Sequence, residues 1–297
     1  MSSRASTVGG AAKGAVARSG RRGFFARLVR NPVGFLGFVL SVIVVLAAAL
    51  GPLISPFDPV AQSIRERFQG PSATHLLGTD NFGRDTLARV LHGYRTSIGV
   101  SLGAVGLATI LGGLIGLMGA YFGGWVDRVL MRLMDILLAF PIILLAIAIL
   151  AVLGPGSVNT GLAIGIVYTP IFARLTRGPA LTVLNWDYVS AARALGSSPA
   201  RLLARHVTPN IMAPLMVQVT ISLSTAVLVE ASLSFLGLGT QPPTPSLGLM
   251  LSESRNTMLL SPWVSVFSGL AILLASLGFN LFGDGLRDLL DPTLRDA

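Results

Sequence analysis

The cysteine, histidine and lysine content of this sequence does not match the patterns that thiol chemistry, metal binding or phosphate binding require. The chain has no cysteine, which excludes disulfides, thiol catalysis and cysteine metal sites. Its histidines, His75, His92 and His206, lack metal-ligand spacing. Lys13 is its only lysine and lies in GGAAKG, which does not match the G-x-x-x-x-G-K-[ST] phosphate-binding loop. We therefore expect no catalytic residue, no metal site and no cofactor in this chain.

A group of charged residues between positions 75 and 96 comes nearest to a reactive cluster. Asp80, Arg84, Asp85 and Arg89 lie in the run HLLGTDNFGRDTLAR. Neither a nucleophile nor a metal-ligand set accompanies them, so we interpret them as charges that order a loop. A short amphipathic helix is expected from Asp85 onward. Asp80, Arg84 and Asp85, together with Glu230, are our candidates for an outer gate or loop.

A second polar stretch, residues 187–210, lies between long apolar runs and reads DYVSAARALGSSPARLLARHVTPN. Its pattern predicts a helix from Tyr188 to Leu195, a break at Gly196, and a second helix that Ser198 caps and Pro199 begins. Pro209 is expected to stop or redirect that second helix. The arginines of the stretch could meet acidic groups of a soluble partner or anionic lipid headgroups. A docking surface and a partnerless interfacial helix therefore both remain open.

The apolar runs around these stretches indicate an all-α polytopic membrane protein. The chain is 52% hydrophobic and 12% charged, whereas a soluble protein carries about 25% charge. Runs of about 20 apolar residues predict membrane-spanning helices. We predict six transmembrane helices, at residues 34–54, 97–120, 129–153, 158–174, 211–236 and 262–282.

The distribution of charge predicts that both termini are cytoplasmic. Residues 1–32 are basic and contain no acid, which fits a cytoplasmic tail or, as an alternative, an organellar transit peptide. Because this excess precedes a membrane span, it favours orientation in a bilayer over nucleic-acid binding. We divide the chain into a tail (1–32), a first helix with an extracytoplasmic loop (33–96), and a core (97–297) whose cytoplasmic loop is 174–210.

Weakly polar stripes on the fifth and sixth predicted spans could line a translocation path. At 100° per residue the polar residues of each span share a narrow face. The candidates are Gln218, Ser222, Thr225 and Ser232 on the fifth span, and Ser265, Ser268, Ser276 and Asn280 on the sixth. Hydrogen bonding between helices is the alternative.

Two further patterns concern packing and pairing within the spans. Gly99 with Gly103, and Gly112 with Gly116, are small-xxx-small pairs that predict close helix packing. Arg132 and Asp135 are spaced to pair with each other.

Four motifs resemble one transporter family. The alanine pair, Gly196 and Pro209 within 187–210 are similar to the EAA loop of ABC importer permeases, although Ser190 replaces the acidic residue of that motif. GTDNFGRD at 78–85 resembles the C-type permease subunits of the dipeptide/oligopeptide branch, which also cover nickel systems. EASLSFLGLG with QPPTPSLG at 230–248, and GDGLRDLLDP at 283–292, resemble the same branch.

The resemblance implies a type I ABC importer permease fold and a permease subunit for di- or oligopeptides in the bacterial inner membrane. It implies as partners a sister permease, one or two ABC ATPases that bind ATP and Mg, an extracytoplasmic peptide-binding protein and the lipid bilayer, but no nucleic acid. The ATPase-coupling residues it implies are Asp187, Tyr188, Ala191, Ala192, Arg193, Gly196, Arg201, Arg205 and Pro209. The alternatives are a nickel or metal-chelate permease and, less favoured, an ion-coupled secondary transporter.

Overall fold

The computed structural model describes residue 29 and residues 31–290, so most of the predicted basic tail and the last seven residues lie outside the description. The described chain is almost entirely helical. Its helices are α1 (Pro32–Ile54), α2 (Thr86–Phe122), α3 (Gly124–Leu138), α4 (Ile142–Leu153), α5 (Ser157–Leu184), α6 (Asp187–Ala194), α7 (Pro199–Leu202), α8 (Thr208–Phe235), α9 (Leu247–Ser254) and α10 (Trp263–Leu290). A π-helical segment, Leu203–Val207, joins α7 to α8.

The membrane-spanning content confirms the all-α polytopic class. Within the described residues, α1, α2, α5, α10 and the continuous stretch Pro199–Phe235 are long and apolar enough to cross a bilayer. The pair α3 and α4 brings the number to six if it is one broken span. Five of the six segments predicted from the sequence correspond to these helices, and the third corresponds to the bent pair α3 and α4.

The third predicted span, 129–153, is not one straight helix. α3 and α4 meet at 96° across a short break. Pro141 explains the break, because proline lacks a backbone N–H and disfavours helical geometry in the residue before it, here Phe140. The 12 residues of α4 reach only about 18 Å, which is shorter than the hydrocarbon core of about 30 Å, so α4 alone is too short to span a bilayer.

Two other predicted boundaries differ from the structure. α2 begins at Thr86, so the expected short helix and the second span are one continuous helix of 37 residues, with Asp85 as its N-cap. α5 continues to Leu184, beyond the predicted limit of 174. The connection between membrane helices is therefore shorter than the predicted loop 174–210.

Glycines bring α2 and α5 together in the most extensive helix pair. A Cβ at Gly112 would lie 2.4 Å from the Thr169 carbonyl oxygen, and one at Gly116 would lie 2.4 Å from that of Ala173. Only glycine permits this approach, which confirms the packing predicted for that pair. Gly99 and Gly103 make no such approach within the described chain, because a Cβ there would meet nothing within 4 Å.

α1 packs along α10, and at Gly51 against Leu91 of α2, through a row of mostly small residues. Its buried positions recur at alternating steps of three and four: Gly34, Gly37, Ser41, Val44, Ala48 and Gly51. A Cβ at Gly34 would lie 2.7 Å from the Cα of Gly285. The first helix is thereby fixed to the last membrane helix.

The helices define a bundle with two ends. At one end Arg193 of α6 lies over the ring of Tyr121, with 5.8 Å between its Cζ and the ring centroid. We call this the α6 end. At the other, the Leu247 amide at the start of α9 donates to Ser97 Oγ over 3.3 Å. We call this the α9 end, and it includes the loop from residue 55 to residue 85.

Candidate coupling surface and translocation path

The coupling residues predicted from the sequence form an exposed surface at the α6 end. α6 begins at Asp187 and ends at Ala194, and α7 begins at Pro199 behind the Ser198 N-cap. Ser198 Oγ accepts from the Arg201 amide at 3.4 Å. The nine predicted residues are exposed except Ala192, which is half-buried. We call the surface formed by Trp186–Pro209 the coupling surface.

Gly196 ends α6 through a specific backbone geometry. Its φ is +81°, in the left-handed region that favours glycine. The Gly196 amide donates to the Arg193 carbonyl over 3.0 Å, and the Ser197 amide donates to the Ala192 carbonyl over 3.1 Å. This pair of bonds is a Schellman motif, which satisfies carbonyls left open at the helix end. The predicted break at Gly196 therefore has a defined structure.

Few side chains hold the coupling surface to the bundle. Val189 is the only buried residue of α6, and Leu202 and Val207 are buried in the segment that follows. The Asn210 amide donates to the Tyr188 hydroxyl over 3.0 Å. These contacts hold the surface in place while its outer side chains remain free to meet another molecule.

Pro209 does not stop the second helix, so that part of the prediction is wrong. The chain runs from α7 through the π-helical segment into α8 without interruption, and Pro209 lies in the first turn of α8. Proline blocks one backbone bond and crowds the carbonyl four residues earlier. The wider π turn at Leu203–Val207 accommodates both effects. The coupling surface is consequently continuous with membrane helix α8.

Two apolar residues of the coupling surface were missed in the sequence. Leu195 is 88% exposed and Trp186 is 41% exposed. The Trp186 and Tyr188 rings lie 5.8 Å apart. The sequence did carry a signal for Trp186 and Leu195, because both are large apolar residues inside a polar stretch. Such residues mark contact surfaces when they are exposed together.

Two arginines of α5 at this end pair with carboxylates of α3. Arg177 Nε lies 2.5 Å from Asp127 Oδ1, and Arg174 pairs with Asp135. The predicted pairing of Arg132 with Asp135 is therefore wrong, because α3 packs against α5 and presents Asp135 to that helix. These pairs fix the amphipathic helix α3 to the bundle.

The predicted path residues of α8 divide between a buried and an uncovered face. Ser222 is fully buried and accepts from Gln218 Nε2 over 3.1 Å. Gln218, Thr225 and Ser232 are partly or fully exposed. They belong to an uncovered face that runs the length of α8: Pro214, Gln218, Ile221, Thr225, Leu228 and Ser232. We call this the α8 face, and it alternates polar with apolar residues.

The predicted path residues of α10 are mostly engaged in helix packing. Ser268 is fully buried and donates to the Val264 carbonyl. Ser276 lies 3.0 Å, oxygen to oxygen, from Ser224 of α8, and Ser265 donates to Ser254 over 2.8 Å. Asn280 is half-buried. The uncovered face of α10 is aliphatic instead, and consists of Val266, Leu270, Leu273 and Leu277.

At the α9 end the structure brings Asp80 and Arg84 into a buried ion-pair network. Arg84 Nε lies 2.5 Å from Asp80 Oδ2 and its Nη2 lies 2.8 Å from Glu253 Oε2. Arg89, which is 1% exposed, joins the same carboxylates at 3.2 and 2.7 Å. We call Asp80, Arg84, Arg89 and Glu253 the outer network. Glu253 was missed as a partner because it lies 164 residues after Arg89.

Burial and Arg84 shift the pKa of the Glu253 carboxyl in opposite directions, and burial has the larger effect. Burial raises the pKa of the Glu253 carboxyl above its ordinary value, whereas Arg84 lowers it. Both arginines donate to its Oε2 at 2.7–2.8 Å, so the network links α9 to the start of α2.

The remaining two outer candidates lie in separate contacts. Asp85 Oδ2 lies 2.9 Å from Nδ1 of the buried His75, and Asp85 Oδ1 caps α2 by accepting from the Ala88 amide over 2.7 Å. Glu230 is fully buried in α8 and accepts from Ser234 over 2.8 Å. Within residues 31–290 Glu230 has no ion pair, so it stands apart from the outer network.

Comparison with known families matches two segments that together cover most of the chain and leave residues 72–107 between them. Residues 108–296 match the family described as binding-protein-dependent transport system inner membrane component. Residues 21–71 match the N-terminal TM domain of oligopeptide transport permease C.

Individual relatives cover nearly the full length. A dipeptide transport system permease protein DppC of Alkalihalophilus pseudofirmus is 44% identical, over 91% of this chain and 89% of the relative. A di/tripeptide transport system permease protein DppC of Pseudomonas aeruginosa is 45% identical, over 92% of each chain. A glutathione transport system permease protein GsiD of Pectobacterium atrosepticum is 40% identical, over 92% and 91%.

A solved structure confirms the fold. A chain of the inward-facing MetNI methionine ABC transporter aligns with a TM-score of 0.52 and 17% identity, covering 68% of this chain and 96% of that chain. At this identity the similarity extends to the fold alone, which is that of a type I ABC importer permease.

Proposed function

The chain belongs to the family of binding-protein-dependent transport system inner membrane components, and from that premise we propose that it helps to import di- and oligopeptides with energy from ATP. As a member of that family it is an integral inner-membrane permease subunit. The names of its relatives support a peptide cargo: dipeptides, di- and tripeptides, and the tripeptide glutathione. They support neither nickel nor an ion-coupled secondary transporter.

The observation that carries the proposal is the coupling surface. Two membrane helices are joined by a separately capped helix that is anchored by Val189 and otherwise exposed. Its outer side presents arginines together with Leu195 and Trp186, a mixture typical of protein interfaces. We assign this surface to an ABC ATPase subunit, which would bind ATP and Mg, and we place the α6 end in the cytoplasm.

The connection between the surface and α8 supplies a route for coupling. ATP binding would draw the ATPases together and move the coupling surface. Because α7 runs through the π-helical segment into α8, that movement would displace α8 as a rigid element and rock the bundle between inward- and outward-facing states.

The α8 face is our candidate for the translocation path. It alternates Gln218, Thr225 and Ser232 with apolar residues along the whole helix. Such a face can pass a peptide without holding it tightly, and a sister permease would close its open side. The aliphatic face of α10 suits lipid, so we assign Ser265, Ser268 and Ser276 to helix packing.

The α9 end is our candidate for contact with an extracytoplasmic peptide-binding protein. The outer network fixes the loop 55–85 against α9 and so gives this end a defined shape. A preformed surface lowers the entropic cost of binding a partner.

The test is co-purification of the tagged chain with its cognate ATPase. Arg193→Glu combined with Arg201→Glu should weaken the association at least tenfold, about 1.4 kcal/mol, because both arginines are exposed on the coupling surface. A matched control is Arg65→Glu with Arg255→Glu, which reverses two exposed arginines at the α9 end. Equal binding by both double variants would reject the assigned surface.

Transport itself is measured with the complete complex in liposomes. We expect dipeptide uptake only when ATP, the ATPases and the binding protein are all present. Uptake by the purified chain alone, without nucleotide, would overturn the proposal in favour of a self-sufficient carrier.

A further inference from the structure

A groove of about 470 Å³ opens at the α6 end of the bundle between α5, α8 and α10. Its walls include Leu175, Pro214, Val217, Gln218, Ile221 and Arg287. This volume falls in the range of small-molecule sites, about 300–1,000 Å³. Such sites are lined mainly by apolar side chains with a few polar groups, and here the polar groups are Gln218 and Arg287.

The groove lies on the α8 face. Pro214, Gln218 and Ile221 belong both to that face and to the groove wall. Gln218 donates one hydrogen bond to Ser222 over 3.1 Å. Since an amide side chain has two N–H donors and a carbonyl acceptor, its oxygen and its second N–H remain available to a ligand.

Arg287 differs from the two paired arginines at this end. Arg174 and Arg177 are neutralised by Asp135 and Asp127. Arg287 is exposed, and no carboxylate within residues 31–290 comes within salt-bridge distance of it.

The acids closest to Arg287 in sequence do not fill the groove. Asp288 accepts a hydrogen bond from Asn31 of α1 over 3.0 Å, and neither Asp288 nor Asp284 is among the groove's wall residues. Among residues 31–290 the guanidinium therefore has no ion-pair partner where it borders the apolar groove.

We propose that this groove binds the peptide cargo as it leaves the path, with the guanidinium of Arg287 receiving the peptide's C-terminal carboxylate. Guanidinium and carboxylate match in a two-bond geometry. Gln218 would contact the peptide backbone, and the aliphatic walls would accept side chains of varied shape. This site rests on the proposed function, because it assumes a peptide cargo and a path along α8.

The test measures direct binding in the absence of the binding protein, whose own selectivity would otherwise hide the effect. The complete complex in nanodiscs is titrated with the dipeptide Ala-Phe and with its C-terminal amide, and binding is followed by saturation-transfer NMR. We expect the amide to bind the wild type at least fivefold more weakly than the free acid. Arg287→Gln should weaken the free acid by a similar factor and leave the amide unchanged, while Arg287→Lys retains most of the affinity.

Arg132→Gln is the matched control, because Arg132 is an exposed arginine that does not line the groove. Equal binding of acid and amide to the wild type, or an Arg287→Gln effect that is the same for both, would overturn the site. Loss of co-purified phosphatidylglycerol in Arg287→Gln with no peptide effect would also overturn it, and would indicate a lipid site.

Dipeptide uptake by the wild-type complex with its binding protein distinguishes a failure of the proposed function from a failure of the Arg287 site. Absence of ATP-dependent dipeptide uptake rejects the proposed function, and with it this site. Uptake without Arg287-dependent binding rejects the site alone.

Discussion

The outer network at the α9 end and the coupling surface at the α6 end hold their charges in opposite ways. At the α9 end, Arg89 is 1% exposed and bridges Asp80 and Glu253, so residues distant in sequence are fixed by buried ion pairs. On the coupling surface at the α6 end, Arg193 and Arg201 are exposed and make no ion pair among the described residues. The outer network satisfies its arginines internally, and the coupling surface leaves Arg193 and Arg201 for a partner.

This difference indicates that the outer network contributes a fixed geometry and that the coupling surface contributes groups for recognition. A buried ion pair adds little net stability over an apolar pair, but removal of one member is costly because the other is left uncompensated. The outer network therefore specifies a geometry. An exposed charge costs little to keep and is available for recognition. The coupling surface is accordingly weakly anchored and open to contact.

The largest effect that tests this comparison is expected from Arg89→Ala. It leaves Asp80 and Glu253 facing each other with only Arg84 between them. We expect the free energy of unfolding to fall by about 3–5 kcal/mol, measured by reversible denaturant titration in mixed micelles. Arg201→Ala at the other end should change it by no more than about 0.5 kcal/mol. Similar losses in the two variants would contradict the contrast between the ends.

A smaller effect, on binding but not on folding, is expected from Leu195→Asp. Leu195 is 88% exposed, so the substitution removes no internal contact. If Leu195 is buried against the ATPase, its loss should weaken association by about 1.5–3 kcal/mol, measured by titration of the purified ATPase against the permease complex.

Leu259→Asp is the matched control, because Leu259 is fully exposed at the α9 end. It should leave ATPase binding unchanged. If Leu195→Asp leaves the affinity for the ATPase unchanged, Leu195 does not contact the ATPase, and the contact must be made by the arginines alone.

Local sequence patterns predicted the helix break and the helix cap within the coupling surface, but they missed Trp186 and Leu195 and predicted the outer network only in part. The Gly196 break, the Ser198 cap and the Pro199 helix start depend on neighbouring residues, so their spacing is visible in the sequence. Glu253 could not be predicted as the partner of Arg89, because a contact across 164 residues depends on how α9 packs against α2.

In the membrane helices, too, local features were visible in the sequence but contacts between helices were not. Pro141 was a visible signal for the bend between α3 and α4 that the hydropathy pattern concealed. Which face of a helix is uncovered was not visible, since serine suits both a path and a helix contact. Ser222 and Ser268 therefore turned out to be buried, while Gln218, Thr225 and Ser232 lie on an open face.

The smallest and most local effect is expected from Gly196→Ala at the end of α6. Gly196 has a φ of +81°, and an L-residue with a Cβ pays about 1–2 kcal/mol in that region. A Cβ there would meet nothing within 4 Å, so the cost is one of backbone conformation and not of packing. We expect amide exchange to speed up roughly 5- to 30-fold at residues 196 and 197, whose N–H groups bond the carbonyls of Arg193 and Ala192, and the free energy of global unfolding to fall by no more than that same amount, about 1–2 kcal/mol.

Two control substitutions separate this conformational cost from other causes. Gly196→Asn should accelerate exchange less, because asparagine tolerates the left-handed region. Gly178→Ala places a Cβ in equally open space, but within α5 at ordinary helical geometry, where alanine is favoured by about 1 kcal/mol. If Gly178→Ala loosens the coupling surface as much as Gly196→Ala does, the Schellman motif does not hold the end of α6, and the anchors Val189 and Leu202 must hold it instead.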